Sequence, residues 1–504
     1  GRQPRSAGQG GGVVAVGIHQ PSAGPGPARA HHPCLPMNGT TDHSDPAGSP
    51  VDLLRTTQHR GVSVKAYEQV PKARKDFSVM LDCGSGETGV YSFAMLEDVL
   101  PLMTGAKFGA ILWEVVQRSE AEGCGPSREF ANEVIRHVRP LAERAEGREE
   151  TDICMLICVG LTGANRDRII SENGDFFESC HKFLKQVTHH IEDSCIGAIV
   201  VFKLFVPRGD QEAQFELAAT RYLLRMAWGA LEGREMNTKE AVHDIFQEAH
   251  GRSSALPLAD GEASPYGVEP TIDLVGLRRA VRGAGNQHVI RHAFSQLADE
   301  NGRVRFNAFA AGVQNNPDLE AALVPLRVFK GVCSAGGGTM QLSIVEASGS
   351  DDVQLFSIPT GNKVPASTGA FSKPVTDEEI AGWQEHVRHK IVEHQLPHDE
   401  SPRGRTKGFF ICISAFFYAA KSAKFPDRIL SHAEVVDRLE RALAEANRSD
   451  LKLVANLANA LTYIATVCDE QSWFLFKRNW NFQDREYVST WSFGWWLESC
   501  GLGE

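Results

Sequence analysis

The sequence lacks several features that would place it in a particular class of protein. It has no run of about 18 apolar residues, so we expect no transmembrane helix. It has no Cys-x-x-Cys pair, and its 11 cysteines are too few for a disulfide scaffold, which argues against structural zinc and a disulfide-stapled fold. The net charge of −11 argues against a nucleic-acid partner bound through its phosphates. A small anionic ligand remains compatible, because local loops and metal ions can override the net charge.

The cysteines and glycosylation sequons give weak information about the compartment. Cys154 and Cys158 lie in "ICMLICVGL" and Cys412 lies in "FFICISAFF", so we expect buried free thiols. Sequons at Asn38 and Asn447 favour secretion weakly, since such triplets also occur by chance. The chain begins "GRQPRS" without Met, which suggests a fragment or processed product. A secreted, lumenal or membrane-associated location is therefore an expectation only.

The pattern of apolar residues predicts an α/β protein. Residues 1–50 are rich in Gly, Pro, Ala and His and lack periodicity, which is typical of a disordered tail. Continuous apolar runs such as "TDICMLICVGLTG", "IGAIVVFKLFV" and "GFFICISAFFYAA" predict strands buried on both faces. Amphipathic helices, such as "DFFESCHKFLKQVTHHIED", alternate with these strands.

Two glycine-rich turns share one pattern. "VMLDCGSGETGVYSF" and "GVCSAGGGTMQLSI" each place a Gly/Ser/Thr turn between two apolar strands. Small residues allow successive backbone N–H groups to point into one concavity, which binds phosphate oxygens. A single turn of this kind could also be an ordinary hairpin. Two of them, about 250 residues apart, suggest paired lobes that hold a nucleotide between them, as in actin and sugar kinases.

The order of the motifs resembles that of the apyrases, the nucleoside triphosphate diphosphohydrolases. Their first conserved region, Asp-Ala-Gly-Ser-Ser-x-Thr, corresponds to "DCGSGET", and their second, Gly-Ala-Thr-Ala-Gly-Met-Arg, corresponds to "GLTGANR". The third corresponds to "QEAQFELAATRYLL" and the fourth, Asp-Leu-Gly-Gly-Ala-Ser-Thr-Gln, to "SAGGGTMQ". "FFICISAFFYAAK" and "TWSFGWWLE" resemble the family's two C-terminal segments. The resemblance spans about 77–227 and 327–500.

This resemblance implies a two-lobed actin-like (ribonuclease H-like) fold and hydrolysis of nucleoside tri- and diphosphates with Mg²⁺ or Ca²⁺. It implies that Asp82 lies toward the metal ion and that Glu212 is the general base for direct attack by water. Gln341 would orient that water with the Thr339 hydroxyl. The implied phosphate- and nucleotide-binding residues are Gly84, Ser85, Gly86, Thr88, Thr162, Arg166, Gly336, Gly337, Gly338 and Tyr463.

Each of these residues also has a structural alternative. Asp82 could simply form a turn, and Arg166 could be a surface residue. Glu212 lies where any carboxylate gains roughly 0.3–1 kcal/mol from the helix dipole. The closing tryptophans, Trp491, Trp495 and Trp496, are better explained by packing than by ligand contact.

Departures from the family pattern put the activity in doubt. The aspartate that opens the fourth motif is Ser334 here, and a serine cannot supply its charge, so we expect weaker cation binding and slower turnover. Gln211, Ala213 and Ala164 replace a glutamate and two glycines of the pattern. A nucleotide-binding pseudoenzyme is therefore the first alternative, and an interaction protein is the second.

An insertion separates Glu212 from Ser334. It includes "HAFSQLADENGRVRFNAFAAGV", which looks like an EF-hand. With Gly302 at the sixth loop position, Leu297 and Ala308 occupy the first and twelfth positions, where Asp and Glu should stand, so calcium binding is not expected. We expect a degenerate helix–loop–helix module that packs or contacts a protein partner.

The predicted domain boundaries follow from these motifs. We expect the tail and linker to be followed by two lobes, with the insertion inside the second lobe and the C-terminal helix packing back on the first. The expected ranges are 1–75 for the tail and linker, 76–205 for lobe I, 206–486 for lobe II, 228–325 for the insertion and 487–504 for the C-terminal helix.

Overall fold

A computed structural model describes most of the chain from residue 71 onward. The described residues are 71–73, 78–84, 88–96, 100–108, 112–146, 153–171, 175–194, 198–228, 238–253, 270–281, 287–324, 329–345, 353–402, 404–482 and 485–502. The predicted disordered tail at 1–50 lies outside them.

The first lobe is built on a five-stranded sheet in the order β3-β2-β1-β4-β5. Strands β1, β2 and β3 are antiparallel neighbours, whereas β4 and β5 run parallel to β1. The strands are β1 (Ser78–Cys83), β2 (Thr88–Leu96), β3 (Leu100–Phe108), β4 (Ile153–Leu161) and β5 (Ala198–Phe205). The apolar runs predicted as strands in this region are therefore confirmed.

Helices pack on this sheet through apolar faces. Two of these helices also contact each other: Phe130 and Phe183 meet edge to face, with their ring centroids 5.5 Å apart. The helices are α1 (Leu112–Glu122), α2 (Gly125–Glu146), α3 (Ala164–Ser171) and α4 (Asp175–Ser194).

The second lobe repeats the same sheet order. Its strands follow the order β10-β9-β8-β11-β13, and β12 is added at one edge. As in the first lobe, the first three strands are antiparallel neighbours and the next two run parallel to the central strand. The strands are β8 (Phe329–Ala335), β9 (Met340–Val345), β10 (Val353–Ile358), β11 (Phe409–Cys412), β12 (Leu430–Ser431) and β13 (Trp473–Phe476).

In the described part of the second lobe, the helices are α11 (Val364–Ser367), α12 (Asp377–Glu393), α13 (Ala415–Ser422), α14 (His432–Ala444) and α15 (Leu451–Val467). Two copies of one strand order, each with a glycine turn between its central strand and the next, form the predicted two-lobed actin-like α/β fold.

Helix α5 (Gly209–Trp228) follows β5, the last strand of the first sheet, and packs on the second sheet. It packs against β8, β9 and β10 and along the C-terminal helix α16 (Trp491–Ser499). Ser343 Oγ donates a hydrogen bond of 2.8 Å to the Ala213 carbonyl, which ties the start of α5 to β9. Helix α16 also packs on the first lobe, where Phe93 stacks on Phe493 and Trp496. Before it, β14 (Asn479–Phe482) and β15 (Arg485–Val488) form a hairpin.

In its described residues, the region predicted as an insertion contains two units, each built on a pair of helices. Helices α6 (Thr238–Arg252) and α7 (Leu274–Ala280) form one, and α8 (Gln287–Leu297) and α9 (Phe306–Asn315) form the other, followed by α10 (Pro317–Leu323). The units are joined by an antiparallel ribbon of β6 (Thr271–Asp273) and β7 (Arg303–Arg305), in which Ile272 faces Val304.

The loop between α8 and α9 is stabilised by an aspartate within it, Asp299. Asp299 Oδ1 accepts hydrogen bonds of 2.9 Å from the backbone N–H groups of Asn301 and Arg303. The carboxylate thus satisfies donors within the turn. The EF-hand-like character of this module stays a prediction.

Two further findings concern expectations from composition. Within the part of the chain that the structure describes, no helix is both long and apolar enough to span a bilayer. Cys158 and Cys412 are buried free thiols, as predicted.

The packing of α16 on α5 predicts a strong effect of a single methyl group. A Cβ at Gly494 would lie 1.7 Å from the Phe215 carbonyl oxygen, so the two helices would have to separate. We expect Gly494→Ala to lower the free energy of unfolding in urea by about 1–3 kcal/mol.

A matched control is Gly382→Ala in α12, where a Cβ would meet nothing within 4 Å. An exposed helical glycine replaced by alanine should stabilise by about 0.5–1 kcal/mol. Equal effects of the two substitutions would contradict the close approach of α5 and α16.

Candidate active site

A cleft of about 220 Å³ between the lobes is lined by Gly84 of the first glycine turn and by Gly336, Gly337 and Gly338 of the second. The first lobe contributes the ends of β1 and β4, and the second lobe contributes the turn between β8 and β9. Helix α5 reaches the cleft with its first turns. The lining therefore combines most of the residues that the motifs singled out, from parts of the sequence that are far apart.

Residues at and just before the start of α3 form hydrogen bonds with Cys83 and Gly84, where the first turn begins. Asn165 Nδ2 donates hydrogen bonds to the carbonyl oxygens of Cys83 (2.7 Å) and Gly84 (3.1 Å). The Thr162 N–H donates to Cys83 O (3.1 Å), and the Thr162 hydroxyl donates to Asp82 Oδ1 (3.3 Å). These contacts fix the Asp82 carboxylate at the edge of the cleft. Asn165 was missed by the motif comparison, although it lies inside the second motif.

The resemblance also implied that Ser85, Gly86 and Thr88 of the first turn bind phosphate. Ser85 and Gly86 lie outside the described residues. Thr88 is fully buried on β2 and its hydroxyl interacts with the Cys83 thiol, so it does not line the cleft.

The second turn is braced by the segment that follows β10. The N–H groups of Gly361 and Lys363 donate to the carbonyls of Gly338 (3.0 Å) and Gly337 (2.9 Å). A Cβ at Gly361 would lie 2.4 Å from the Gly338 carbonyl carbon, so only glycine permits this approach. Gly336 closes the turn through its N–H to the Thr339 carbonyl (2.8 Å). The glycines thus form a rigid loop that lines the cleft.

Glu212 joins the two lobes at the floor of the cleft. It lies in the first turn of α5 and is 7% exposed. Arg166 of the first lobe donates to Glu212 Oε1 (2.9 Å), and Gln341 of the second lobe donates to Glu212 Oε2 (3.4 Å). Gln341 Nε2 also donates to the Thr339 hydroxyl (2.7 Å). The structure therefore brings Glu212, Gln341 and Thr339 together as one hydrogen-bonded group.

Arg166 has a more specific position than the motif comparison implied. Besides Glu212, its guanidinium donates to the Pro207 carbonyl (2.9 Å), just before α5. Its side chain is only 15% exposed, so it is not a plain surface residue. Its charge offsets that of the buried carboxylate.

Glu216 is a third carboxylate in the cleft, and the motif comparison missed it. It lies one helical turn after Glu212, is also 7% exposed, and accepts a 2.8 Å hydrogen bond from Ser334 Oγ. Burial raises the pKa of Glu216 to about 8, the Ser334 hydroxyl opposes this rise, and the charges of Glu212 and Asp82 add to it. Among the described residues, its second oxygen has no hydrogen-bond partner. The i, i+4 spacing of the two glutamates was the only signal in the sequence.

Basic side chains lie along other parts of the lining. Lys363, Lys452 and Arg478 line the cleft, and Arg478 donates a hydrogen bond to the Tyr418 hydroxyl. Cationic side chains beside an acidic floor suit a ligand that carries phosphates together with a cation.

Of the aromatic residues that the sequence singled out, some line the cleft and others lie in the core. Tyr463 is fully buried in α15, 5.5 Å from the Phe416 ring, and it does not line the cleft. Trp491 does line the cleft, whereas Trp495 and Trp496 are fully buried. A Cβ at Gly160 would lie 2.4 Å from the Trp491 ring, so this glycine makes room for the indole.

The donor atoms of the cleft fit a hydrated divalent cation. Asp82, Glu212 and Glu216 offer carboxylate oxygens, which hard cations prefer. Within the described ranges, no three His, Cys, Asp or Glu side chains are grouped closely enough to ligate one ion directly. Ligation through coordinated water is the arrangement that these residues suit, because Mg²⁺ usually retains several waters.

Comparison with known proteins gives limited information. No protein-family profile and no curated protein matches the sequence. Solved structures that match include nucleoside triphosphate hydrolases from Neospora caninum, with 10% identity and a TM-score of 0.41, covering 90% of this chain and 97% of that one. An Aquifex aeolicus Ppx/GppA phosphatase matches with 10% identity and a TM-score of 0.40, covering 85% and 99%. An exopolyphosphatase from Cytophaga hutchinsonii matches with 9% identity and a TM-score of 0.38, covering 85% and 99%. The fold assignment rests on the repeated strand order rather than on these similarities.

Proposed function

We propose that the protein hydrolyses nucleoside tri- and diphosphates, releasing inorganic phosphate by direct attack of water. The observation that carries this proposal is the position of Glu212. This buried carboxylate lines the same cleft as Gly84 and Gly336–Gly338 and is held by one residue from each lobe, Arg166 and Gln341. A general base must be held in this way to accept a proton from a water molecule aimed at phosphorus.

The turns would bind the phosphates from both sides. The Gly336–Gly338 segment lines the same cleft as Gly84, and glycine turns of this kind present backbone N–H groups to phosphate oxygens. Lys363 and Lys452 would add positive charge toward the terminal phosphates. The acidic floor would then lie next to the phosphorus that is attacked.

Glu212, Gln341 and Thr339 would position the attacking water. The Gln341 amide contacts both the base and the Thr339 hydroxyl, so the three polar groups converge on one volume. A water bound there would transfer its proton to Glu212 as its oxygen attacks, and Arg166 would keep the carboxylate in place.

A divalent cation, Mg²⁺ or Ca²⁺, fits the acidic floor near Asp82 and would neutralise charge on the phosphates when bound. Asp82 is held for this role by the Thr162 hydroxyl. We also propose that the chain belongs with the apyrases, since residues from their first four motifs line this one cleft.

The direct test is phosphate release from ATP and ADP with Mg²⁺, with Ca²⁺ and with a chelator. We expect release that requires the cation. Nucleotide binding without release would instead support the pseudoenzyme alternative, which Ser334 motivates.

Removing the base should slow turnover strongly. We expect Glu212→Gln to lower kcat for ATP by about 10²–10⁴-fold, because an amide cannot accept the proton. Asp210→Asn is the matched control, since Asp210 lies in the same helical turn but pairs with Arg208 and does not line the cleft. Full activity of Glu212→Gln would contradict the mechanism.

Arg166 should act on kcat rather than on KM. Its guanidinium holds the base, so Arg166→Gln should lower kcat by about 10²-fold, the usual cost of misplacing a reacting group, with little change in KM. Initial rates at varied ATP concentration measure both constants. A rise in KM at unchanged kcat would show instead that Arg166 grips phosphate.

A further inference from the structure

The second lobe carries a serine where the resemblance calls for a carboxylate. Ser334 lies in β8, which is the counterpart of β1 in the repeated sheet order, and Asp82 lies near the end of β1. Ser334 is 1% exposed and its hydroxyl donates to Glu216 Oε1 (2.8 Å). Ser334, which has no charge, is therefore hydrogen-bonded to Glu216, whose carboxyl group can carry one.

We propose that Glu216 supplies, from helix α5, the second carboxylate toward the divalent cation, and that Ser334 holds it in position. This proposal rests on the proposed function for the identity of the ligand, a cation that accompanies phosphate. It assigns to Glu216 a role that the sequence motifs leave empty.

The geometry of α5 supports this role. Residues four positions apart on a helix lie on the same face, so Glu216 lines the same cleft as Glu212. The side chain is more than nine-tenths buried, and within the described part of the chain one of its oxygens has no hydrogen-bond partner. A buried carboxylate with an unsatisfied oxygen is costly and calls for a ligand that the protein itself does not provide.

The charges at the floor of the cleft lead to the same conclusion. Asp82, Glu212 and Glu216 contribute three carboxylates, and Arg166 contributes one guanidinium, which lies against Glu212. A divalent cation bound among these carboxylates would offset their excess negative charge and favour the ionised form of Glu216.

The proposal reverses a simple expectation about Ser334. If the lobe lacked a carboxylate, Ser334→Asp would strengthen cation binding by restoring one. With Glu216 already within hydrogen-bond distance, a second carboxylate at 334 would repel it and take away its hydrogen-bond donor. We therefore expect Ser334→Asp to weaken cation binding in the wild-type background and to restore it when residue 216 is neutral.

The test measures Mn²⁺ binding directly, from the electron paramagnetic resonance signal of free Mn²⁺. It compares the full chain with and without the β,γ-imido analogue of ATP. We expect Glu216→Gln and Ser334→Asp each to weaken Mn²⁺ binding by about 10–100-fold, as changes around metal sites usually do. The double variant, Ser334→Asp with Glu216→Gln, should regain most of the wild-type affinity.

Glu498→Gln is the matched control. Glu498 accepts hydrogen bonds from Gln214 of the same helix α5, but it does not line the cleft, so its variant should bind Mn²⁺ like the wild type. Thermal unfolding without Mn²⁺ checks the fold, and Glu216→Gln should unfold at a temperature no lower than the wild type, because it removes a buried carboxylate.

Two results would overturn the proposal: unchanged Mn²⁺ affinity in Glu216→Gln, or a double variant that binds as weakly as the single variants. Failure of the proposed function is separate. Rescue of Mn²⁺ binding by the double variant in a protein that releases no phosphate would uphold this inference and refute the hydrolase.

Discussion

The interaction on which the site depends is the anchoring of Glu212 by both lobes. Arg166 fixes one carboxylate oxygen from the first lobe and Gln341 contacts the other from the second. Helix α5, which carries this glutamate, is tied to β9 through Ser343 and packed against α16 at Gly494. Because these contacts determine where α5 lies, they also determine where the Glu212 carboxylate lies in the cleft.

The same helix explains how the site tolerates an unusual second lobe. Its face carries Glu216 one turn beyond Glu212, directly at the hydroxyl of Ser334. In our proposal Ser334 is not a defect of the site, because its hydroxyl holds the Glu216 carboxylate in position. In the role we propose for Glu216, the second carboxylate comes from the helix that joins both lobes instead of from a strand of one lobe, and its burial is the cost of that position.

Much of the fold could be predicted because its strands are continuous apolar runs between glycine turns. The grouping of Asp82, Glu212 and Gln341 in one cleft could be predicted because their motifs are local and ordered. Glu216 could not be assigned, since its partner Ser334 is 118 positions away and only the packing of α5 on β8 reveals the pair. The two glycine turns indicated paired lobes, but the repeat of the whole strand order is visible only in the structure, because the other residues of the strands do not repeat. Tyr463 is the opposite case: the resemblance implied that it contacts the nucleotide, but the residue is buried in the core.

The measurement that tests the central claim most directly is hydrolysis of ATP in water enriched in oxygen-18, with the products analysed by mass spectrometry. Attack by a water held at Glu212 predicts that each phosphate released in a single turnover carries one labelled oxygen, while the ADP remains unlabelled. Phosphate released without label, or label found in the ADP, would contradict direct attack at the terminal phosphorus and the role of Glu212 with it.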